Sequence, residues 1–100
     1  MIKHLAVNEN FEEEVKGKLV LVDFFATWCG PCSMLAPVIE ELDKQMEIKV
    51  IKIDTDELPE IAQAFRIMSI PTLILFKDGK PVKKTMGYMP LEQLKKFVQE

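Results

Sequence analysis

The sequence of 100 residues predicts an α/β fold with a mixed sheet. First, residues 19–25 are apolar on both faces apart from Asp23, as in a central strand covered by helices on each side. Second, segments with helical apolar spacing alternate with short apolar runs. Third, Asp78-Gly79 separates two such runs, which is a strong hairpin signal. The predicted element order is βαβαβαββα, with parallel crossovers first and an antiparallel hairpin last, in a single domain over residues 1–100.

The first two elements are short. Residues 2–7 form a weak strand candidate, and helical spacing begins at residue 8. Asn10 and Glu13 fit a capping box, and Gly17 supplies a C-terminal stop. We therefore predict a first helix of about two turns.

The second helix should begin near Cys29 and carry one apolar stripe. The stripe comprises Leu35, Val38, Ile39, Leu42 and Met46. Pro37 lies inside this pattern and predicts a kink, but the stripe continues, so we expect the helix to continue. Residues 48–55 are typical of a buried strand, and residues 56–59 combine acidic residues with a proline, as at the start of a short helix.

The last elements follow from turn residues. The Asp78-Gly79 turn joins the apolar run 72–76 to residues 81–86. Pro81 has no backbone N–H to donate, which restricts this last strand to the edge of the sheet. Pro90 starts the final helix.

Composition excludes several function classes. The net charge is −3 and no basic stripe with interleaved aromatics occurs, which argues against nucleic-acid binding. The longest apolar stretch is short and contains Asp23, so we expect no membrane span. No apolar core of a signal peptide precedes the acidic residues 12–14, and two closely spaced cysteines do not form the framework of a small secreted domain. We expect a cytoplasmic protein.

Both cysteines of the chain, Cys29 and Cys32, lie at the predicted start of the second helix. A helix start favours a thiolate at Cys29, and i,i+3 spacing lets Cys32 reach it. The alternatives are half of a zinc site or inert core thiols. A zinc site needs four ligands and His4 is the only other soft ligand, so we expect no metal. His4 itself has the pattern of an ordinary surface or strand residue. The pattern predicts dithiol–disulfide exchange, in which Cys29 attacks and Cys32 resolves the mixed disulfide.

Two charged residues could assist this chemistry. Asp23 lies in the most apolar segment, where desolvation would raise its pKa and let it take the proton of Cys32. The alternative is a strand-end carboxylate satisfied by a backbone N–H. Lys52 lies in an apolar run, so it either pairs with a carboxylate or is solvated at a strand end.

The active-site segment and the residues downstream resemble the thioredoxin family. The segment is Val22-Asp23-Phe24-Phe25-Ala26-Thr27-Trp28-Cys29-Gly30-Pro31-Cys32, and Pro37, Lys52, Asp56, Pro59, Ser69-Ile70-Pro71-Thr72, Phe76, Gly79 and Gly87 occupy the family's places. The resemblance runs from about residue 5 to the end. Ser33, Leu58 and Arg66 depart from the commonest family pattern.

The resemblance implies a fold and several residue roles. The fold would be the thioredoxin fold, a central mixed five-stranded sheet flanked by four helices. Asp23 would be the partner of Lys52, and the Ile70-Pro71 peptide bond would be cis. The target protein would bind on a shallow surface formed by Trp28, Gly30, Pro31, Ile70, Pro71, Met86 and Gly87. Trp28 could otherwise be a core aromatic, and Gly87 a turn glycine.

The family function would be that of a general protein-disulfide reductase and electron carrier. Its electrons would come from an NADPH-dependent thioredoxin reductase, so the chain itself would need no cofactor. Targets would include ribonucleotide reductase, peroxiredoxin and methionine sulfoxide reductase, with the chain acting as a monomer. A disulfide oxidase or isomerase, or a binding module that uses the same scaffold, remain the alternatives.

Overall fold

The computed structural model describes residues 1–99, and their strands form one mixed five-stranded sheet in the order β1-β3-β2-β4-β5. The elements are β1 (Ile2–His4), α1 (Phe11–Glu14), β2 (Leu19–Phe25), α2 (Gly30–Met46), β3 (Lys49–Asp54), α3 (Pro59–Ala64), β4 (Thr72–Lys77), β5 (Lys80–Met86) and α4 (Leu91–Gln99). The predicted class and element order are therefore confirmed.

Strand β2 lies in the middle of the sheet, as its apolar pattern predicted. It pairs in parallel with β3 and antiparallel with β4. Val22 and Phe24 face one apolar cluster, which also contains residues of α3, whereas Leu21 faces a second cluster built with α2 and α4. Successive side chains of one strand thus fill two cores on opposite faces of the sheet.

The first two elements are shorter than predicted. Strand β1 ends at His4, because residues 6–9 already form a turn in which the Glu9 N–H donates to the Ala6 carbonyl. Helix α1 has about one turn, not two. The Asn10 side chain caps it by accepting from the Glu13 N–H, but the Glu13 carboxylate pairs with Lys16 at 2.8 Å, so only half of the capping box forms.

Helix α2 continues through Pro37 to Met46, as its apolar stripe predicted. Leu35, Ile39 and Leu42 are buried in the second cluster. The chain leaves the helix through Glu47, which has a left-handed φ of 51°. This long helix covers the face of the sheet toward which the odd-numbered side chains of β2 point.

The hairpin between β4 and β5 has the turn that its sequence predicted. Asp78 and Gly79 have φ values of 53° and 81°, as a two-residue hairpin turn with positive φ at both positions requires. Strand β5 lies at the edge of the sheet, as Pro81 predicted, and its ladder with β4 shifts register between Leu75 and Phe76, next to the position that pairs with Pro81. Among residues 1–99, no helix combines the length and apolar character needed to cross a membrane.

Candidate active site

Cys29 and Cys32 lie where the central strand gives way to α2, and they form a disulfide with a Cα–Cα distance of 5.3 Å. Cys29 is the N-cap of α2, and its Sγ accepts the backbone N–H of Cys32 at 3.2 Å. A sulfur that receives an N–H at a helix N-terminus is stabilised as a thiolate. The two side chains are only 5% and 6% exposed, so a partner sulfur must approach them from the rim.

A loop before β4 lies against the disulfide. The Ile70-Pro71 peptide bond is cis, as the family resemblance implied, and Pro71 is buried. The Ile70 carbonyl oxygen lies 3.8 Å from Cys29 Sγ. The neighbouring Pro71 carbonyl is already used, because it accepts the Gly87 N–H at 2.8 Å. The backbone of Ile70 is therefore the part of this loop that lies next to Cys29 Sγ.

The rim of the site is formed by exposed side chains. Trp28 is 71% exposed rather than part of the core, and its Nε1–H donates to Asp56 Oδ2 at 2.8 Å. Met86 is 59% exposed, with its Sδ 3.3 Å from Ser69 Oγ. Gly30 and Pro31 are exposed at the first turn of α2. Gly87 has a φ of 89°, a conformation that favours glycine.

Asp23 is a buried carboxylate in the middle of β2, not at a strand end. Its Oδ2 lies 3.7 Å from Lys52 Nζ on the neighbouring strand, and Oδ1 has no hydrogen-bond partner within residues 1–99. Burial raises the pKa of Asp23 to about 6, although the Lys52 charge acts in the opposite direction. Lys52 is likewise not a solvated lysine at a strand end, because its side chain is only 11% exposed.

Strand alternation places Asp23 beneath the start of α2. On the same face of β2, Leu21 packs in the cluster that contains Leu35, and Phe25 packs against the cluster of Cys29 and Cys32. Asp23 lies between these two positions on the strand. The carboxylate is thus on the side of the sheet that the cysteine helix covers.

Sequence reasoning missed Phe25. It described His4 as a surface or strand residue, and His4 is indeed exposed and lies in β1, but its contact with Phe25 was not foreseen. Lys52 Nζ lies over the Phe25 ring, 4.8 Å from its centroid, and the His4 ring meets the same ring edge-on at 5.8 Å. Phe25 stands two residues after Asp23, so strand alternation alone could have placed both on one face. The contact with His4 depends on the pairing of β1 with β3, which the sequence does not specify.

No other part of the described chain offers a competing centre. Among residues 1–99, no group of three or more histidine, cysteine, aspartate or glutamate side chains could hold a metal ion. A groove of about 850 Å³ lies between α1, α3 and the hairpin and is lined by Phe11, Phe65 and Phe76, among others. Neither cysteine lines it.

Comparisons with known proteins agree with the geometry. The family model described as Thioredoxin matches residues 2–100. A thioredoxin of Staphylococcus saprophyticus is 48% identical over 95 residues, covering 93% of this chain and 91% of that protein. A mutant thioredoxin from Halobacterium salinarum superimposes with a TM-score of 0.91 at 36% identity, covering 98% of this chain and 88% of that one.

A third similar chain comes from a structure that addresses thiol resolution in yeast mitochondrial 1-Cys peroxiredoxin via glutathione and thioredoxin systems. It has a TM-score of 0.89 at 33% identity and covers 98% of this chain and 93% of that one.

Proposed function

The chain belongs to the thioredoxin family and is a protein-disulfide oxidoreductase that acts by dithiol–disulfide exchange, and we propose that it works as a general reductase and electron carrier. The observation that carries this proposal is the Cys29–Cys32 disulfide at the N-terminus of α2, beside the free backbone of Ile70. We further propose that residues 1–100 act as one domain and as a monomer in the cytoplasm.

The cycle begins with the reduced pair. The Cys29 thiolate attacks one sulfur of a target disulfide, forming a mixed disulfide and releasing the other target sulfur as a thiolate, which takes up a proton. The Cys32 thiol loses its proton and attacks Cys29 Sγ, which breaks the mixed disulfide and releases the second target thiol. The target gains two electrons and two protons, and the chain ends as the observed disulfide.

Asp23 is the proposed acceptor for the proton of Cys32, directly or through water. A carboxyl group with a pKa of about 6 can both accept and return a proton near neutral pH. Lys52 acts on this step through Asp23, because its ammonium favours the ionised carboxylate. Both residues lie on the α2 side of the sheet, which supports this assignment.

The target binds as an extended segment in this proposal. The Ile70 backbone next to Cys29 would pair with it, as in a short β-augmentation. Trp28, Met86 and Pro31 supply exposed apolar surface, and Gly30 and Gly87, which lack side chains, leave room for close backbone approach. Pro71 fills the space next to the sulfurs.

The proposed partners follow from the family. An NADPH-dependent thioredoxin reductase would return the chain to its dithiol form, so that the nicotinamide and flavin belong to that enzyme. Oxidised peroxiredoxin, ribonucleotide reductase and methionine sulfoxide reductase are the proposed targets. The similar chain from the yeast peroxiredoxin study supports the first of these.

Turnover of the insulin disulfides with dithiothreitol tests the proposal. The unmodified chain should accelerate insulin reduction, Cys29→Ser should abolish the acceleration, and Cys32→Ser should accumulate a mixed disulfide through Cys29. Ser33→Ala is the matched control, since Ser33 follows the pair on α2 and should turn over normally. Equal turnover by Cys29→Ser and the unmodified chain would contradict the proposal.

A further inference from the structure

A row of polar side chains crosses the sheet beneath the start of α2. His4, Lys52 and Asp23 are register partners on the adjacent strands β1, β3 and β2. Register partners point to the same face, so the three side chains share the face that α2 covers. Beyond Asp23 the row continues with Leu73 and Thr85, which carry no charge.

Lys52 has an unusual environment for an ammonium group. Its side chain is 11% exposed, and its one carboxylate partner within residues 1–99, Asp23, is at 3.7 Å, longer than a good charge-assisted hydrogen bond. Buried charge needs compensation, and the remaining compensation comes from the Phe25 ring, whose centroid lies 4.8 Å from Nζ. The aromatic face thus completes the surroundings of the cation.

We propose that Phe25 is a positioning residue, whose ring holds the Lys52 ammonium beside the Asp23 carboxylate. The His4 ring meets Phe25 at an interplanar angle of 85°, an edge-on contact that keeps the face of Phe25 toward Lys52. Phe25 also packs against Cys29 and Cys32. One aromatic ring therefore contacts both the redox pair and the cation that governs the charge of Asp23.

The consequence concerns the proton of Cys32, and in this respect the inference rests on the proposed function. Without the aromatic face, Lys52 would extend toward solvent, as lysine side chains do, and Asp23 would lose its counter-charge. Its carboxyl group would then stay protonated to higher pH. A protonated Asp23 accepts no proton, so the resolving step would slow near neutrality.

The groups that can influence this titration are few. Lys52 faces Asp23 from β3, His4 faces Lys52 from β1, and Cys29 and Cys32 lie above on α2. Asp54, the register partner of Phe25, is engaged by the backbone N–H groups of residues 56 and 57. In the oxidised protein the two sulfurs do not titrate, so the pH midpoint of the Asp23 titration reports directly on the position of the Lys52 ammonium.

The experiment is a nuclear magnetic resonance titration of the Asp23 carboxyl carbon in the oxidised protein. Phe25→Leu removes the aromatic face at similar volume, and Phe25→Tyr keeps it. Phe25→Leu should raise the Asp23 midpoint by roughly half a pH unit, the effect of losing a partly exposed cation–π contact, whereas Phe25→Tyr should leave it in place. Both substitutions are repeated in a Lys52→Met background, where no ammonium remains to be positioned.

The double-mutant comparison decides the outcome. The inference holds if the shift caused by Phe25→Leu disappears in the Lys52→Met background. An unchanged midpoint in Phe25→Leu, an equal shift in both backgrounds, or an equal shift in Phe25→Tyr would overturn it, since the last two indicate altered packing. Backbone amide spectra of each variant establish that it is folded. Because no turnover is measured, failure here is distinguishable from failure of the insulin assay.

Discussion

Asp23→Ala should remove a loss of stability that the unmodified protein undergoes as the pH rises to neutrality. In the folded chain the Asp23 carboxylate is buried and its Oδ1 finds no hydrogen-bond partner among residues 1–99, whereas in the unfolded chain water solvates it. Ionising this group therefore favours the unfolded state. The alanine variant removes that conflict.

The sign and size follow from the pKa of Asp23, which is raised from 3.8 to about 6 on folding. A raised folded pKa means that the stabilisation is fully present below pH 3.8 and is lost as the pH rises through 6. A difference of about two pKa units corresponds to about 3 kcal/mol. Relative to Asp23→Ala, the unmodified protein should lose about 2 to 3 kcal/mol of unfolding free energy between pH 4 and pH 8.

Urea unfolding of the oxidised proteins, followed by circular dichroism at pH 4 and pH 8, measures this quantity. The difference between the two pH values cancels the packing cost of the alanine, which does not depend on pH. Glu40→Ala removes an exposed carboxylate from α2 and serves as the control, with no comparable pH-dependent gain. If Asp23→Ala and the unmodified protein lost equal stability over this range, burial would not be raising the pKa of Asp23.

Three further substitutions, with Gly30→Ala as a control for the first, test the backbone, the rim and the core by chemical unfolding. Gly87→Ala should lower the free energy of unfolding by about 1 kcal/mol or more, because the φ of Gly87 is 89°. In Gly30→Ala no atom lies within 4 Å of the added Cβ, so its free energy of unfolding should lie within about 0.5 kcal/mol of that of the unmodified chain. Trp28→Phe loses the hydrogen bond to Asp56, so its free energy of unfolding, measured by circular dichroism, should fall by about 1 kcal/mol. An unchanged stability would mean that this bond contributes nothing. Leu42→Ala should cost about 2 to 5 kcal/mol, because Leu42 is fully buried; a loss below 1 kcal/mol would contradict its place in the core.

The long, strongly patterned elements could be predicted from the sequence. Helix α2 carries an apolar stripe along its length, so its continuation through Pro37 followed from the pattern. Strand β2 was identified as central because it is apolar on both faces. The hairpin turn followed from Asp78-Gly79, whose positive φ values few other residue pairs adopt readily.

The ends of short elements and the order of the strands could not be predicted. Helix α1 is too short for periodicity to define, and the Glu13 side chain pairs with Lys16 instead of closing the capping box. Nothing in the sequence pattern indicates that β2 and β4 are antiparallel neighbours, because pairing between distant segments depends on tertiary packing.

Some features of the candidate site could likewise be predicted from the sequence, and others could not. The spacing of Cys29 and Cys32 defined the redox pair, because i,i+3 positions at a helix start are close by geometry alone. The pairing of Asp23 with Lys52 was implied by family resemblance, and the 3.7 Å distance confirms it. Contacts that join three strands, such as those of Phe25, needed the register of the sheet.

Asp23 places the candidate site on the central strand of the fold. An ionised carboxylate in the centre of β2 costs stability, and only a strand packed between two apolar clusters can retain it. The same burial that costs stability places the pKa near neutrality, where the carboxyl group is useful for proton transfer. Asp23→Ala should therefore flatten the pH dependence of stability and slow the resolving step together, two effects of one desolvated group.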